Sequence, residues 1–132
     1  MKTLLENDVL IDNNTVQDID WDSLTFNLYP TRSMFVAKCK EGGEWTTGNL
    51  VTYGDVKISP AAAVLNYGQG VFEGIKAFRS AKDRIVFFRL DRNAMRFYRS
   101  CKRICIPPVP VEMFMDAIEK VVKDNVDYVP PI

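Results

Sequence analysis

The sequence of 132 residues contains no histidine. Histidine is the most frequent general base, and it is also the usual partner of a nucleophilic serine or cysteine. Its absence therefore excludes much of hydrolase chemistry, together with every metal site that needs an imidazole ligand. We predict no metal site in this chain.

Cysteine is scarce, and long apolar runs are absent. The three cysteines, Cys39, Cys101 and Cys105, form no C-x-x-C pair, and no basic stretch is followed by an apolar one as in a secretory signal. We therefore expect reduced thiols, a cytoplasmic protein, and core positions for Cys101 and Cys105. No apolar run approaches the ~18 residues that cross a bilayer, so we expect no membrane partner.

The sequence also lacks a net charge, since 17 basic residues balance 17 acidic ones. A neutral chain has no overall field that attracts nucleic acid or an anionic membrane. The apolar fraction of 47% predicts a chain that folds, and its length suits one domain. The charge is nevertheless uneven, because residues 76–103 hold ten basic residues against two acidic ones.

Residues 1–22 are acidic and show little periodicity, so we expect a mobile leader ahead of a folded domain at 23–132. In that domain, short apolar stretches bounded by turns predict strands. The expected strands lie at residues 34–40, 50–53, 56–58, 71–79 and 85–88. The dipeptide Gly54-Asp55 is typical of a type I′ or II′ turn, which predicts one hairpin, and the polar tract at 80–84 predicts another.

Two amphipathic helices are predicted after the strands. Apolar residues recur at helical spacing over residues 91–104, with Asp91 as the expected N-cap. A second apolar stripe begins near Pro110 and ends before Pro130. Strands followed by helices predict an α+β fold, in which an antiparallel sheet carries two C-terminal helices packed on it.

Basic residues form one face of the first predicted helix. They recur at steps of four, three and four, at Arg92, Arg96, Arg99 and Arg103. Such a face can be a solvated stripe opposite an apolar one. Alternatively, at least one guanidinium makes a bidentate bond to a phosphate or a carboxylate, which arginine does better than lysine.

The glycine-rich segment 68–74, GQGVFEG, does not match nucleotide-binding loops. Its third glycine comes one residue late for G-x-G-x-x-G, and no Gly-Lys-Ser/Thr follows. We expect a loop in which glycines adopt positive φ angles or let the backbone approach another group closely. The loop can serve the fold alone or form part of a binding site, and the sequence favours neither role. Tyr67 and Phe72 bracket the glycines, and they can line a pocket or join the core.

Residues 59–79, SPAAAVLNYGQGVFEGIKAFR, closely resemble the signature of the branched-chain amino acid aminotransferases, especially those of plants. The similarity continues through residues 85–89, 93–96 and 112–131, about four fifths of the chain in all. The resemblance implies the small N-terminal domain of a fold type IV aminotransferase that uses pyridoxal 5′-phosphate. Such enzymes are usually homodimers, and they exchange the amino group of leucine, isoleucine or valine with 2-oxoglutarate.

The resemblance also assigns residues. Arg96 matches an arginine that binds the cofactor phosphate, for which a bidentate guanidinium is well suited. Tyr67 matches a tyrosine at the substrate end, and Phe72 and Phe26 match aromatics of the aliphatic side-chain pocket. No catalytic residue is assigned here, because the Schiff-base lysine and the carboxylate that pairs with the pyridine nitrogen belong to the family's C-terminal domain. The chain alone is therefore expected neither to transaminate nor to bind the cofactor stably.

The sequence departs from the family at the pocket entrance. Relatives usually carry glycine after the aromatic residue and then Thr-Asp-Tyr or Thr-Asp-His, whereas this chain has Asn27 and Thr31-Arg32-Ser33. These residues therefore do not support the pocket entrance that the resemblance implies.

Two other functions compete with a role in transamination. The chain could be a non-catalytic partner that dimerises with itself or regulates full-length aminotransferases, because a domain cut from a two-domain enzyme exposes its former interface. More weakly, the basic stretch at 76–103 could bind nucleic acid, with an affinity that falls steeply with salt. Our prediction is a small-molecule site without a nucleic acid partner.

Overall fold

The computed structural model describes residues 19–26, 28–40 and 42–131, and these residues form an α+β fold, as predicted. The elements in chain order are β1 (Ser33–Val36), β2 (Asn49–Thr52), α1 (Ala63–Tyr67), β3 (Ala77–Arg79), β4 (Ile85–Phe87), α2 (Leu90–Arg103) and α3 (Val111–Asp124). Single 3-10 turns lie at Trp21–Ser23 and Val126–Tyr128. No helix in the described ranges is long and apolar enough to cross a membrane. The predicted leader lies mostly at residues 1–18, outside these ranges.

The first strands form a pair that differs from the predicted one. β1 and β2 are antiparallel, with Met34 opposite Val51. The hairpin predicted around Gly54-Asp55 is wrong, since residues 56–58 form no strand and Gly54 lacks the positive φ that type I′ and II′ turns need at that position. The strand predicted at 34–40 ends at Val36, and beyond it Cys39 makes only an isolated bridge with Trp45.

The second predicted hairpin is confirmed in shorter form. β3 and β4 pair with Phe78 opposite Val86, and the turn between them is closed by Ser80 N, which donates to Arg84 O over 2.8 Å. Residues 71–76 lie before β3 and form no ladder, but their side chains still alternate between partly buried and exposed. This alternation turns Glu73 inward, towards α2.

The two predicted helices are confirmed, but the predicted cap is wrong. α2 begins at Leu90, and its N-cap is Arg89 in a left-handed conformation (φ 53°) without a side-chain cap bond. Asp91 instead lies in the first turn, where a carboxylate interacts favourably with the helix dipole, and it pairs with Arg89. α2 ends at Arg103, so Cys105 is exposed rather than in the core, whereas Cys101 is buried as expected.

The core lies between the helices and β1. α3 packs against α2, where the rings of Phe97 and Phe114 stack at 4.8 Å, and it also packs against β1. The buried apolar side chains in the described part of the chain are few: Leu90, Ala94, Cys101 and Val129. So small a core leaves many large apolar residues exposed, among them Phe26, Tyr67, Phe72 and Phe88.

Candidate functional site

The central contact of the candidate site joins Arg96 on α2 to Glu73 in the segment before β3. Arg96 Nε donates to Glu73 Oε2 over 2.8 Å, and Arg96 Nη2 donates to Glu73 Oε1. The Glu73 side chain is 6% exposed, whereas the Arg96 side chain is 64% exposed. A buried carboxylate therefore holds one edge of the guanidinium, while the other edge faces solvent.

Asn93 lies one helical turn before Arg96 and fixes the same carboxylate. Asn93 Nδ2 donates to Glu73 Oε1 over 3.1 Å and to Gly74 O over 3.2 Å. The hydrogen bond from Arg96 lowers the pKa of Glu73, and the bond from Asn93 acts in the same direction against the effect of burial. The Glu73 carboxylate in turn raises the pKa of Arg96. Both groups therefore stay charged at neutral pH.

Three of the five N–H groups of Arg96 remain available after Glu73 has taken two. No other residue within the described ranges accepts a hydrogen bond from Arg96 Nη1. The guanidinium can therefore bind an anion end-on, through Nη1 and Nη2, but its side-on edge is already occupied. A phosphate group fits this end-on edge, because two of its oxygens can accept parallel hydrogen bonds there.

The four arginines of α2 behave differently from one another. All four side chains lie on exposed residues, which agrees with a solvated stripe. Arg96 alone among them makes the bidentate bond to a carboxylate that the alternative interpretation predicted, while Arg92 makes a single looser contact with Asp91 at 3.7 Å. The face is therefore a solvated stripe at most positions, and at Arg96 it also makes a bidentate bond.

The glycine-rich loop is tied to the C-terminal end of α2. Gln69 Nε2 donates to Ile104 O over 2.9 Å. Gly68 ends α1 in the left-handed conformation (φ 62°), which confirms a positive φ in this loop. A Cβ atom at Gly70 would lie 3.2 Å from Val64 Cγ2, so the loop also packs closely on α1.

The candidate pocket aromatics are open to solvent in this chain. Tyr67 is 86% exposed at the end of α1, and Phe72, next to Glu73, is 94% exposed. Phe26 is fully exposed, and its ring makes no aromatic contact with Tyr67 or Phe72 among the described residues. Phe72 precedes Glu73 in the chain, but side chains alternate in this segment, so Phe72 faces solvent while Glu73 faces α2.

The residues at which the chain departs from the family pattern have structural roles. Arg32 Nη1 donates to Asp124 O over 2.8 Å, and Arg32 Nη2 forms an ion pair with Asp127 at 2.9 Å. Ser33 hydrogen bonds with the buried Asn125. These residues therefore attach β1 to the end of α3. Asn27 lies outside the described residues.

Two surface depressions are formed by other parts of the chain. One of about 570 Å³ is lined by residues that include Lys102 and Cys105, and one of about 330 Å³ is lined by residues that include Trp21 and Arg79. Neither contains Arg96 or a candidate aromatic residue. The candidate aromatic residues are therefore exposed side chains that belong to neither depression.

Glu73 and Asn93 are the site residues that sequence reasoning missed. The available signal was an acidic residue at an inward position between Val71 and Ile75, followed by a helix with a basic face. Because an unpaired carboxylate is rarely tolerated at such a position, a cationic partner could have been inferred.

No protein-family model matches the sequence. Curated relatives do match it. Over 114 residues the chain is 46% identical to branched-chain-amino-acid aminotransferase 6 of Arabidopsis thaliana, covering 86% of this chain and 32% of that protein. It is 43% identical over 115 residues to branched-chain amino acid aminotransferase 2, chloroplastic, of Humulus lupulus, covering 87% and 28% of the two chains.

A relative named for a different substrate matches almost the whole chain. Methionine aminotransferase BCAT4 of Arabidopsis thaliana is 36% identical over 123 residues, which is 93% of this chain and 35% of that protein. The chain thus spans about a third of the length of the curated relatives it matches. These matches confirm the resemblance to plant branched-chain amino acid aminotransferases that the sequence indicated.

Proposed function

We propose that this chain is the N-terminal small domain of a branched-chain amino acid aminotransferase, and that it binds the cofactor phosphate and part of the substrate. The similarity to plant aminotransferases over most of the chain supports the assignment. The single observation that carries it is the position of Arg96, whose guanidinium is held by a buried carboxylate and open at its end-on edge.

Arg96 would bind the phosphate of pyridoxal 5′-phosphate. The phosphate is close to a dianion, and two charge-assisted hydrogen bonds from Nη1 and Nη2 would fix its orientation. When bound, the cofactor supplies the electron sink on which amino-group transfer depends. The residues of this chain would bind and orient the cofactor without moving a proton.

Tyr67, Phe72 and Phe26 would contribute apolar surface for the aliphatic side chain of the substrate. Their exposure in this chain is consistent with a pocket that is completed by another part of the enzyme. An apolar surface favours leucine, isoleucine and valine over polar amino acids, although each methylene changes the binding free energy by only ~1–3 kcal/mol.

The chain alone is expected to be inactive. In the family, the lysine that reacts with the cofactor lies in the part of the relatives that this chain does not match. Titration of the purified chain with pyridoxal 5′-phosphate should therefore give no stoichiometric aldimine absorbance and no turnover of leucine with 2-oxoglutarate. A stoichiometric band with turnover would contradict this part of the proposal.

A segment exchange tests the assignment directly. The matching segment of Arabidopsis branched-chain-amino-acid aminotransferase 6 is replaced by this chain, and the affinity for pyridoxal 5′-phosphate is measured. We expect an active enzyme in which Arg96→Gln weakens cofactor binding at least about tenfold, because a charged hydrogen-bond pair is lost. Arg99→Gln on the same helix face is the matched control and should leave the affinity unchanged. Equal affinities for the two variants would exclude Arg96 from the phosphate site.

A second candidate function is supported by the exposed apolar face. The outer side of β3 and β4 and the residues beside them expose Phe72, Phe78 and Phe88, at 94%, 50% and 83%. Such a face favours a dimerising or regulatory partner of full-length aminotransferases. Sedimentation of the chain at about 50 µM, alone and with a full-length relative, tests this function, and a strict monomer in both samples would exclude it.

A further inference from the structure

The ion pair between Glu73 and Arg96 is unequal in its exposure. The carboxylate is nearly buried, while the guanidinium is mostly in solvent. Burying a carboxylate costs free energy unless its oxygens are hydrogen bonded, and an ion pair of this kind is weak as a source of stability. The arrangement is better explained by what Glu73 does to the orientation of Arg96.

Glu73 is itself held in place from two sides. Its Oε1 accepts from Arg96 Nη2 and from Asn93 Nδ2, and its Oε2 accepts from Arg96 Nε. Asn93 also donates to Gly74 O, so the carboxylate is anchored to α2 and to the backbone that follows it. With Glu73 fixed, Arg96 cannot rotate about its last bonds without breaking two hydrogen bonds.

We propose that Glu73 is the positioning residue of the phosphate site, and that it occupies the side-on edge of Arg96 so that an anion binds end-on. This inference rests on the proposed function. In this role Glu73 would contact Arg96 rather than the cofactor or the substrate, and it would act through Arg96. Asn93 supports it by holding the carboxylate.

Removal of the Glu73 charge has two opposing effects on anion binding. The loss of a negative charge strengthens the attraction of Arg96 for phosphate, whereas the loss of orientation weakens binding, because a mobile side chain must then be ordered. Salt separates the effects, since at about 0.5 M the screening length is only a few ångströms. At that salt concentration the loss of orientation dominates.

The test uses the complete chain with isotope-labelled arginine, whose Nε and Nη signals are followed by NMR. The probe is pyridoxine 5′-phosphate, which carries the phosphate but no aldehyde, and pyridoxine is the control ligand. The probe is titrated to about 10 mM, because the chain alone is expected to bind a phosphate only weakly. In the wild type, the probe should shift Arg96 Nη and leave Nε unchanged. In Glu73→Gln at about 0.5 M salt, Kd should rise about two- to tenfold, and Nε should shift as well.

Two further variants separate positioning from stability. Asn93→Ala keeps the ion pair but frees the carboxylate, so it should change Kd in the same direction as Glu73→Gln, by less. Asn125→Ala removes buried hydrogen bonds to Ser33, away from Arg96, and therefore destabilises the fold without touching the site. Its folded molecules should keep the wild-type Kd and the end-on pattern of shifts.

The outcomes distinguish this inference from the proposed function. A wild-type Kd and an unshifted Nε in both Glu73→Gln and Asn93→Ala would overturn the positioning role and leave the phosphate site in place. A wild-type chain in which the probe shifts Nε as strongly as Nη would also overturn it, since the phosphate would then displace Glu73 from the Nε side of Arg96. If Arg96 responds no more than Arg99 does, the phosphate site itself is wrong, and the role of Glu73 is wrong with it.

Discussion

The Asn125 side chain pairs with the backbone of Ser33 as a second peptide group would. Asn125 Oδ1 accepts from Ser33 N over 3.0 Å, and Asn125 Nδ2 donates to Ser33 O over 3.1 Å. Both residues are buried, and 92 residues separate them in the sequence. The end of α3 thus completes the hydrogen bonding of the first strand, which joins the two ends of the described domain.

Replacing Asn125 with alanine should lower the free energy of unfolding by about 1–3 kcal/mol, because the buried N–H and C=O groups of Ser33 lose their partners. Urea denaturation followed by circular dichroism measures this loss. Asn49→Ala, at an exposed position of β2, is the matched control and should change the value by less than about 0.5 kcal/mol. Equal losses in the two variants would show that the hydrogen bonds between Asn125 and Ser33 do not contribute to stability.

The stability of the chain should depend on pH through Glu73. The pKa of Glu73 in the folded chain lies below its ordinary value, 4.5, chiefly because Arg96 donates hydrogen bonds to the carboxylate. A depressed pKa contributes stability above the ordinary value, and this contribution is lost as the pH falls through the folded-state pKa. Wild type should therefore lose more stability than Glu73→Gln between about pH 7 and pH 3.

This pH dependence is measured by urea denaturation of both proteins at a series of pH values. Asp91→Asn is a control, because Asp91 is also paired with an arginine but is exposed on the first turn of α2. Its effect on the pH dependence should be smaller than that of Glu73→Gln. Parallel curves for wild type and Glu73→Gln would show that Arg96 and Asn93 do not lower the pKa of Glu73 in the folded chain.

Gly48 should tolerate substitution less well than Gly42. Both residues have positive φ angles, 71° and 93°, so alanine is strained at either position. A Cβ atom at Gly48 would also clash with the ring of Phe35, whereas one at Gly42 would meet nothing within 4 Å. We expect Gly48→Ala to cost about 2–4 kcal/mol and Gly42→Ala about 1–2 kcal/mol of unfolding free energy. The opposite order in thermal or urea unfolding would be inconsistent with this packing.

The helices and the second hairpin could be predicted from the sequence because their signals are local. Apolar residues at helical spacing predict the faces on which Phe97 and Phe114 meet. The partner of β2 could not be predicted in the same way. The dipeptide Gly54-Asp55 is a local turn signal, whereas the pairing of β2 with β1 accompanies a contact between Ser33 and Asn125 that spans most of the chain.

In the candidate site, too, local features could be predicted from the sequence and long-range contacts could not. Arg96 could be named as a candidate from the sequence, because of its periodic basic neighbours and the family resemblance. Glu73 was not selected, because an acidic residue between apolar ones in an extended segment is common, and its partner lies 23 residues later on another element. The aromatic residues could be named but not assembled, since Phe26 and Phe72 remain exposed in this chain.

The exposed apolar face should govern self-association of the isolated chain. Phe88 is 83% exposed beside β4, so Phe88→Ser should not lower the free energy of unfolding. If two copies cover this face in solution, the loss of a phenylalanine from each buried contact should raise the dimer Kd at least tenfold, since its burial contributes about 1.5–3 kcal/mol.

Sedimentation at several concentrations measures this change, with Leu28→Ser as the matched control. Leu28 is 78% exposed and lies outside β3, β4 and the residues beside them, so its loss should leave the dimer Kd unchanged. An equal effect of both substitutions would indicate unspecific association through exposed apolar residues. A chain that stays monomeric at every concentration would instead mean that this face has no affinity for itself.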